Sequence, residues 1–180
     1  PTDLEPTEFG LIFGFQKSNF YGSLLGMEYA RVANWTYNSE KPWERFLHRN
    51  EPIGYSKGND FDRWTFWVKS WTTENIYLNY GAEYLRKGEG QITDEWTEPW
   101  MERTVEEGYS EKFPLGVVEE MFSPWVKVRY HYNNHLWMDA RLSYYTIENY
   151  DHQKGENKNG FQFGINIWLN LNMMISMQGD

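Results

Sequence analysis

Residues 161–176 read FQFGINIWLNLNMMIS, and this stretch decides the fold. Phe161, Phe163, Ile165, Ile167, Leu169, Leu171, Met173 and Ile175 alternate with Gln162, Gly164, Asn166, Trp168, Asn170, Asn172, Met174 and Ser176. One face is unbroken apolar. The other is mostly small or polar, with Trp168 and Met174 as exceptions. A period of two belongs to a strand, since successive side chains on an extended backbone point to opposite faces. Strands of soluble sheets usually run about 5–6 residues. A tilted strand that crosses a bilayer needs about 9–11, with lipid-facing and lumen-facing side chains alternating. The stretch therefore reads as a transmembrane β-strand.

Six further segments carry the same alternation. Glu8 to Gln16 places Phe9, Leu11, Phe13 and Phe15 on one face, and Phe20 to about Ala33 gathers Gly22, Gly26, Glu28 and Ala30 on its more polar side. Phe61 to Trp71 sets Trp64, Phe66 and Val68 against Arg63, Thr65 and Lys69. Ile76 to Arg86 sets Ile76, Leu78, Tyr80, Ala82 and Tyr84 against Tyr77, Asn79, Gly81 and Glu83. Trp125 to Tyr132 and Leu136 to Ile147 continue the pattern, with Lys127, Arg129 and His131 on the charged side of the first and Asp139 and Arg141 on that of the second. Charge on a lipid face costs about 2–4 kcal/mol near the midplane, so these charged sides are expected to face a wet lumen.

The connections alternate in length. Lys17-Ser18-Asn19, Thr72-Thr73-Glu74-Asn75 and Asn133-Asn134 are expected as short turns. Ser39 to Asp60, Gly88 to Phe122 and Asn149 to Gly160 are long. Barrels of a bacterial outer membrane have short periplasmic turns and long extracellular loops. That places the C-terminus on the periplasmic side and the long loops outside the cell. Seven strands is an odd number, and an open edge in lipid leaves backbone groups unpaired at several kcal/mol each. The expectation is one domain, an all-β, antiparallel transmembrane β-barrel portion, forming the C-terminal segment of a larger barrel. The remaining strands would lie on the same precursor or on another chain. The start at Pro1 carries the matching expectation that something upstream is removed or left out. Within the loops, Lys41 to Arg49 and Thr93 to Gly108 are expected to form short helices, from Pro42 near one start and Thr93 or Asp94 as the other's N-cap.

Composition narrows the function classes. The chain has 180 residues, a net charge of −9 and no cysteine. Cysteine's absence removes disulfide, thiolate-zinc and cysteine-nucleophile chemistry. The acidic balance argues against a nucleic-acid partner, which requires clustered Lys and Arg. Mean hydropathy is −0.78, which a barrel with a polar lumen tolerates, and no run approaches the about 18 apolar residues of a helical span. Aromatic residues make up 19%, including ten Trp and thirteen Tyr, as in membrane-interface girdles and sugar-binding surfaces.

Several groups of residues resemble the C-terminal half of capsule assembly proteins of the Wzi family. They are Glu28-Tyr29-Ala30-Arg31, Asn34-Trp35-Thr36-Tyr37, Phe46-Leu47-His48-Arg49, Pro52-Ile53-Gly54, Gly58 with Asp60, and Arg86-Lys87-Gly88-Glu89-Gly90. The resemblance runs in order from about Phe9 to the C-terminus. It implies a closed outer-membrane barrel that acts as a lectin for capsular or exopolysaccharide at the cell surface. This chain departs from that pattern in supplying only about seven strands.

Candidate contacts follow from residue chemistry. Trp43, Trp96 and Trp100 lie in the long loops, where an indole either stacks on a sugar ring or packs the loop onto the barrel mouth. Arg45, His48, Arg49, Lys57 and Arg103 are candidates for binding carboxylate or phosphate groups of an acidic polysaccharide, or for pairing with loop acids. Glu83, Lys127, Arg129, His131, Asp139 and Arg141 are expected to face the lumen, where stabilising cross-strand pairing is the preferred reading. The acids Asp94, Glu95, Glu98, Glu102, Glu106 and Glu107 lack the calcium-loop spacing and read as a solvated face, near lipopolysaccharide if the loops are extracellular. No cofactor or metal motif occurs, and no Gly-x-Ser-x-Gly elbow for a serine nucleophile. The expected function is noncatalytic binding and attachment of surface polysaccharide. A channel subunit, a soluble carbohydrate-binding barrel and an enzyme are the alternatives, in that order.

Overall fold

The computed structural model describes residues 8–49, 51–133 and 135–169. It is all-β, 54% strand, with no helix of seven residues or more. Seven strands form one sheet: β1 (Gly10–Phe20), β2 (Ser23–Val32), β5 (Phe61–Trp71), β6 (Ile76–Lys87), β7 (Glu119–His131), β8 (Leu136–Glu148) and β9 (Asn157–Leu169). Every neighbouring pair is antiparallel and spatial order follows chain order. Two short strands, β3 (Leu47–His48) and β4 (Glu51–Pro52), pair with each other in the first long loop. Among the described residues β1 and β9 are open edges, so the sheet is not closed into a barrel.

Register sorts the side chains into two faces. On one, Leu25, Val68, Tyr80, Val126, Leu142 and Phe163 lie directly opposite one another across six strands. The next row towards the short turns, Leu78, Val128, Ala140 and Ile165, is also apolar. Towards the long loops the same face carries Phe13, Tyr29, Trp64, Tyr84 and Phe122 in one row. Beyond that comes a charged row, Arg31, Asp62, Arg86, Glu120 and Glu148. Much of this apolar face is exposed, including Phe66, Tyr80, Leu142, Phe163 and Ile167.

The opposite, polar face follows a different logic. Gly26, Trp67, Gly81 and Trp125 form one row, and each indole covers the bare backbone of a neighbouring glycine. The buried core is small and sits on this face at the long-loop end: Ala30, Val32, Phe61 and Leu85, covered by Tyr37 and Tyr55 of the first long loop and by Met121. The protein thus buries its apolar side chains where the loop returns over the sheet.

Expected and observed elements agree closely in the middle of the chain and differ at the ends and in the loops. The expected strand at 61–71 has the observed bounds, and those at 76–86 and 136–147 each extend by one residue. The strand expected from Trp125 begins six residues earlier, at Glu119, and β9 begins at Asn157 rather than Phe161. The part of the expected last strand from Asn170 to Ser176 lies outside the described residues. Lys17-Ser18-Asn19 is not the first turn. It belongs to β1 and carries a register shift, while the chain reverses at Tyr21-Gly22, both at positive φ (48° and 76°). Two positive-φ residues make the hairpin turn whose twist matches that of the flanking strands, and glycine adopts that conformation at little cost.

Neither expected loop helix forms beyond a single turn. Only Pro42–Glu44 and Pro99–Glu102 are helical, both 3-10. Pro99 lies inside the expected helix, where it removes a donor and drives Glu98 out of the α region, to φ −115° and ψ 62°. In the first loop the Phe46 amide bonds to Tyr37 and its carbonyl accepts Ile53 N, which draws the chain out into β3. Tertiary hydrogen bonds override a weak local preference there.

Candidate functional site

The long connections 33–60 and 88–118 leave the same end of the sheet and are tied at their roots. Asp60 is fully buried. Its carboxylate accepts the Gly90 amide at 3.0 Å and the Leu115 amide at 3.1 Å, and its carbonyl accepts the Gly88 amide at 2.8 Å. Lys87 Nζ donates to the carbonyls of Asn59 and Gly90 at 2.6 and 2.7 Å, and Asn59 donates to the Asn34 carbonyl. Burial pushes the Asp60 carboxyl above its usual range, against the amides of Gly90 and Leu115 and the charge of Lys87, which favour the carboxylate.

Above this clasp the two loops share an aromatic cluster. Trp35, Trp96 and Trp100 meet edge to face at ring separations of 5.2, 5.3 and 5.7 Å. Glu111 accepts Trp35 Nε1 at 2.9 Å and the Tyr109 hydroxyl, and burial together with Glu111 pushes the Tyr109 phenol up. Arg45 crosses between the loops, with Nη1 and Nη2 donating to the carbonyls of Thr93 and Asp94 at 3.2 and 2.9 Å and Nε to Ser39 at 3.3 Å. Trp100, buried to 2% exposure, and Arg45 are therefore occupied in holding the loops together. Trp96 shares the cluster but is only partly buried. Trp43, His48, Arg49, Lys57 and Arg103 are exposed.

Residues 53–58 then turn back over the polar face. The Tyr55 ring packs 4.8 Å from that of Phe61 and lies 4.8 Å from the Arg63 guanidinium. Burial pushes the Tyr55 phenol up as well. Arg63 bonds Glu28 at 2.7 Å and Glu83 at 3.4 Å. The fold of this loop brings Lys57, expected as a loop contact, beside Glu83 and Arg141, expected on the lumen side. Together with Lys158, Tyr145 and Gln162 they line a recess of about 350 Å³. Lys57 has no ion pair among the described residues, and Arg141 makes only a contact with the Trp125 ring at 5.8 Å. Lys158 Nζ donates to the Tyr150 hydroxyl at 2.9 Å.

Closer to the short turns, Lys127 and Arg129 converge on Asp139, at 2.9 Å for lysine and 2.6 and 3.0 Å for the two arginine nitrogens. The structure thus assembles three of the six residues expected on the lumen side into one cross-strand cluster and a further two, Glu83 and Arg141, into the recess. His131 stands between Trp71 and Trp137, at ring separations of 5.6 and 6.3 Å. Lys158, Tyr145 and Gln162 were not singled out in the sequence, because nothing local shows that the loop reaches their strands.

Among known proteins, no family model, no curated protein and no solved structure matches this chain.

Proposed function

We propose that the chain is part of an outer-membrane β-barrel and holds an acidic surface polysaccharide without cleaving it, the function that the resemblance to Wzi-family capsule assembly proteins implies. The observation that carries this reading is the recess under residues 53–58, where Lys57, Arg141 and Lys158 approach one polar pocket beside Tyr145 and Gln162. None of these three cations is ion-paired with a carboxylate among the described residues, so an anionic ligand supplies what the protein does not. The exposed loop residues Trp43, His48, Arg49 and Arg103 extend the contact outward, each weak and the set multivalent.

The membrane part of the reading is supported by the apolar face. Its order of apolar rows, aromatic row and charged row is the sequence of environments met from a bilayer's hydrocarbon to its headgroups. Closing the sheet then requires further strands at β1 and β9, and its polar face becomes the lumen.

The test is calorimetric titration of the detergent-solubilised chain with hexagalacturonate. Binding is expected to weaken about tenfold or more in Lys57→Glu and Arg141→Glu, with the oligosaccharide recovered at its original length. Undiminished binding in both variants, or shortening of the oligosaccharide, overturns the proposal. The cluster of Lys127, Arg129 and Asp139 favours one second reading, an ion-conducting subunit. It predicts that Lys127→Ala changes conductance in a planar bilayer.

A further inference from the structure

We propose a second carbohydrate site at the short-turn end of the polar face, one that takes a neutral oligosaccharide. Trp71 of β5, His131 of β7, Trp137 of β8 and Trp168 of β9 form a continuous ladder of rings across the sheet, with separations of 5.6, 6.3 and 6.3 Å. His131 and Trp137 are inclined by 20° and Trp137 and Trp168 by 16°, so these three rings stand nearly parallel, while Trp71 is tilted by 46° to His131. Register puts this ladder on the polar face, behind the apolar rows and not among them. An aromatic girdle at a membrane interface faces lipid and does not explain it. Nor does core packing, since Trp71 and Trp168 are 56% and 51% exposed.

The ladder borders an open recess of about 670 Å³ rimmed by Glu74, Asn75, Arg129 and Asn133. The rim has the mixed donors and acceptors that hydroxyl groups require. Arg129 spends Nε and Nη2 on Asp139, and Nη1 has no hydrogen bond among the described residues. The Asn133 carbonyl oxygen accepts the His135 and Leu136 amides, which leaves its amide nitrogen to donate. The two carboxylates of the area, Glu74 and Asp139, balance the two cations Arg129 and Lys127. A ligand matched to this recess is uncharged, with apolar C–H faces against the indoles and hydroxyls towards the rim.

This inference goes beyond the acidic-polysaccharide reading and does not need it. Lys158 and Trp168 lie on the same face of β9 ten residues apart, about 33 Å along the strand, and the nearer pair, Arg141 and Trp137 of β8, lie four residues apart, about 13 Å. The two sites are far enough apart to be separated by ligand and by variant.

The experiment is titration of the detergent-solubilised chain with maltohexaose, followed by saturation-transfer NMR and calorimetry, with hexagalacturonate as the second probe. Wild type is expected to bind maltohexaose, and Trp168→Ala and Trp137→Ala each to weaken it about tenfold while leaving hexagalacturonate affinity unchanged. Trp168 stands exposed on an edge strand, so its variant keeps the test valid if Trp137→Ala fails to fold. Absence of maltohexaose binding to wild type overturns the inference. Binding unchanged in Trp168→Ala overturns it too. Loss of hexagalacturonate binding alone strikes the cationic recess and leaves this site standing.

Discussion

The Asp60 carboxylate and the Leu115 amide, 55 residues apart in sequence, meet at 3.1 Å in the buried neck where the two long loops join. Removing the carboxylate in Asp60→Ala leaves the Gly90 and Leu115 amides without their acceptor. Hydrogen bonds to a charged acceptor and the stranding of buried donors put the cost at about 2–3 kcal/mol. The expected result is a lower melting temperature and faster proteolysis within residues 88–118, with the strands cut no sooner than in wild type.

The same carboxyl sets a pH dependence. Burial raises its folded value above the ordinary 3.8, so the native state holds the proton more tightly than the unfolded chain. Its contribution is greatest below 3.8 and is lost as pH rises through the raised value. The stability difference between wild type and Asp60→Asn, followed by thermal melts across this window, is expected to shift against wild type with increasing pH. A difference independent of pH contradicts this.

Gly26 and Gly81 make room for indoles. A methyl group added at Gly26 meets the Trp67 ring, and one at Gly81 meets the Phe66 carbonyl. Overpacking of this kind costs about 1–3 kcal/mol, so Gly26→Ala and Gly81→Ala are expected to lower the denaturant midpoint. At Gly164 nothing lies within 4 Å of the added carbon, and Gly164→Ala is expected to be silent.

Val126 stands in the centre of the six-strand apolar row. If that row faces lipid, Val126→Arg costs about 2–4 kcal/mol in a bilayer and impairs insertion into vesicles. Insertion and stability equal to wild type argue that water or protein covers the face instead.

Strands were legible in the sequence because alternation is a local property. Phe61 to Trp71 reads from periodicity alone, since both sides of the strand change character at those residues. The site was not legible in the same way. Lys57 appeared as a loop residue and Arg141 as a strand residue, and only the return of the loop, fixed by Tyr55 against Phe61 and Arg63, makes them neighbours. By residue type Trp100 fits either a sugar contact or loop packing and Arg45 either an anion contact or a pair with loop acids, and their partners in the fold are other indoles and backbone carbonyls, which no spacing encodes. Trp168 was visible as an exception on a polar face, and its meaning emerged when register aligned it with Trp137.

Because each strand bonds to the strands that precede and follow it in the sheet's chain order, the sheet contains no crossing and no thread. A cut in residues 88–118 would leave two pieces held by the β6–β7 seam and by the clasp of Leu115 and Glu111 on Asp60 and Trp35, with no strand to unpick. The same seam can heal by zipping edge to edge. Among the described residues both borders, β1 and β9, keep an open edge of the same antiparallel kind as the inner ladders, so topology by itself sets no limit to the number of strands.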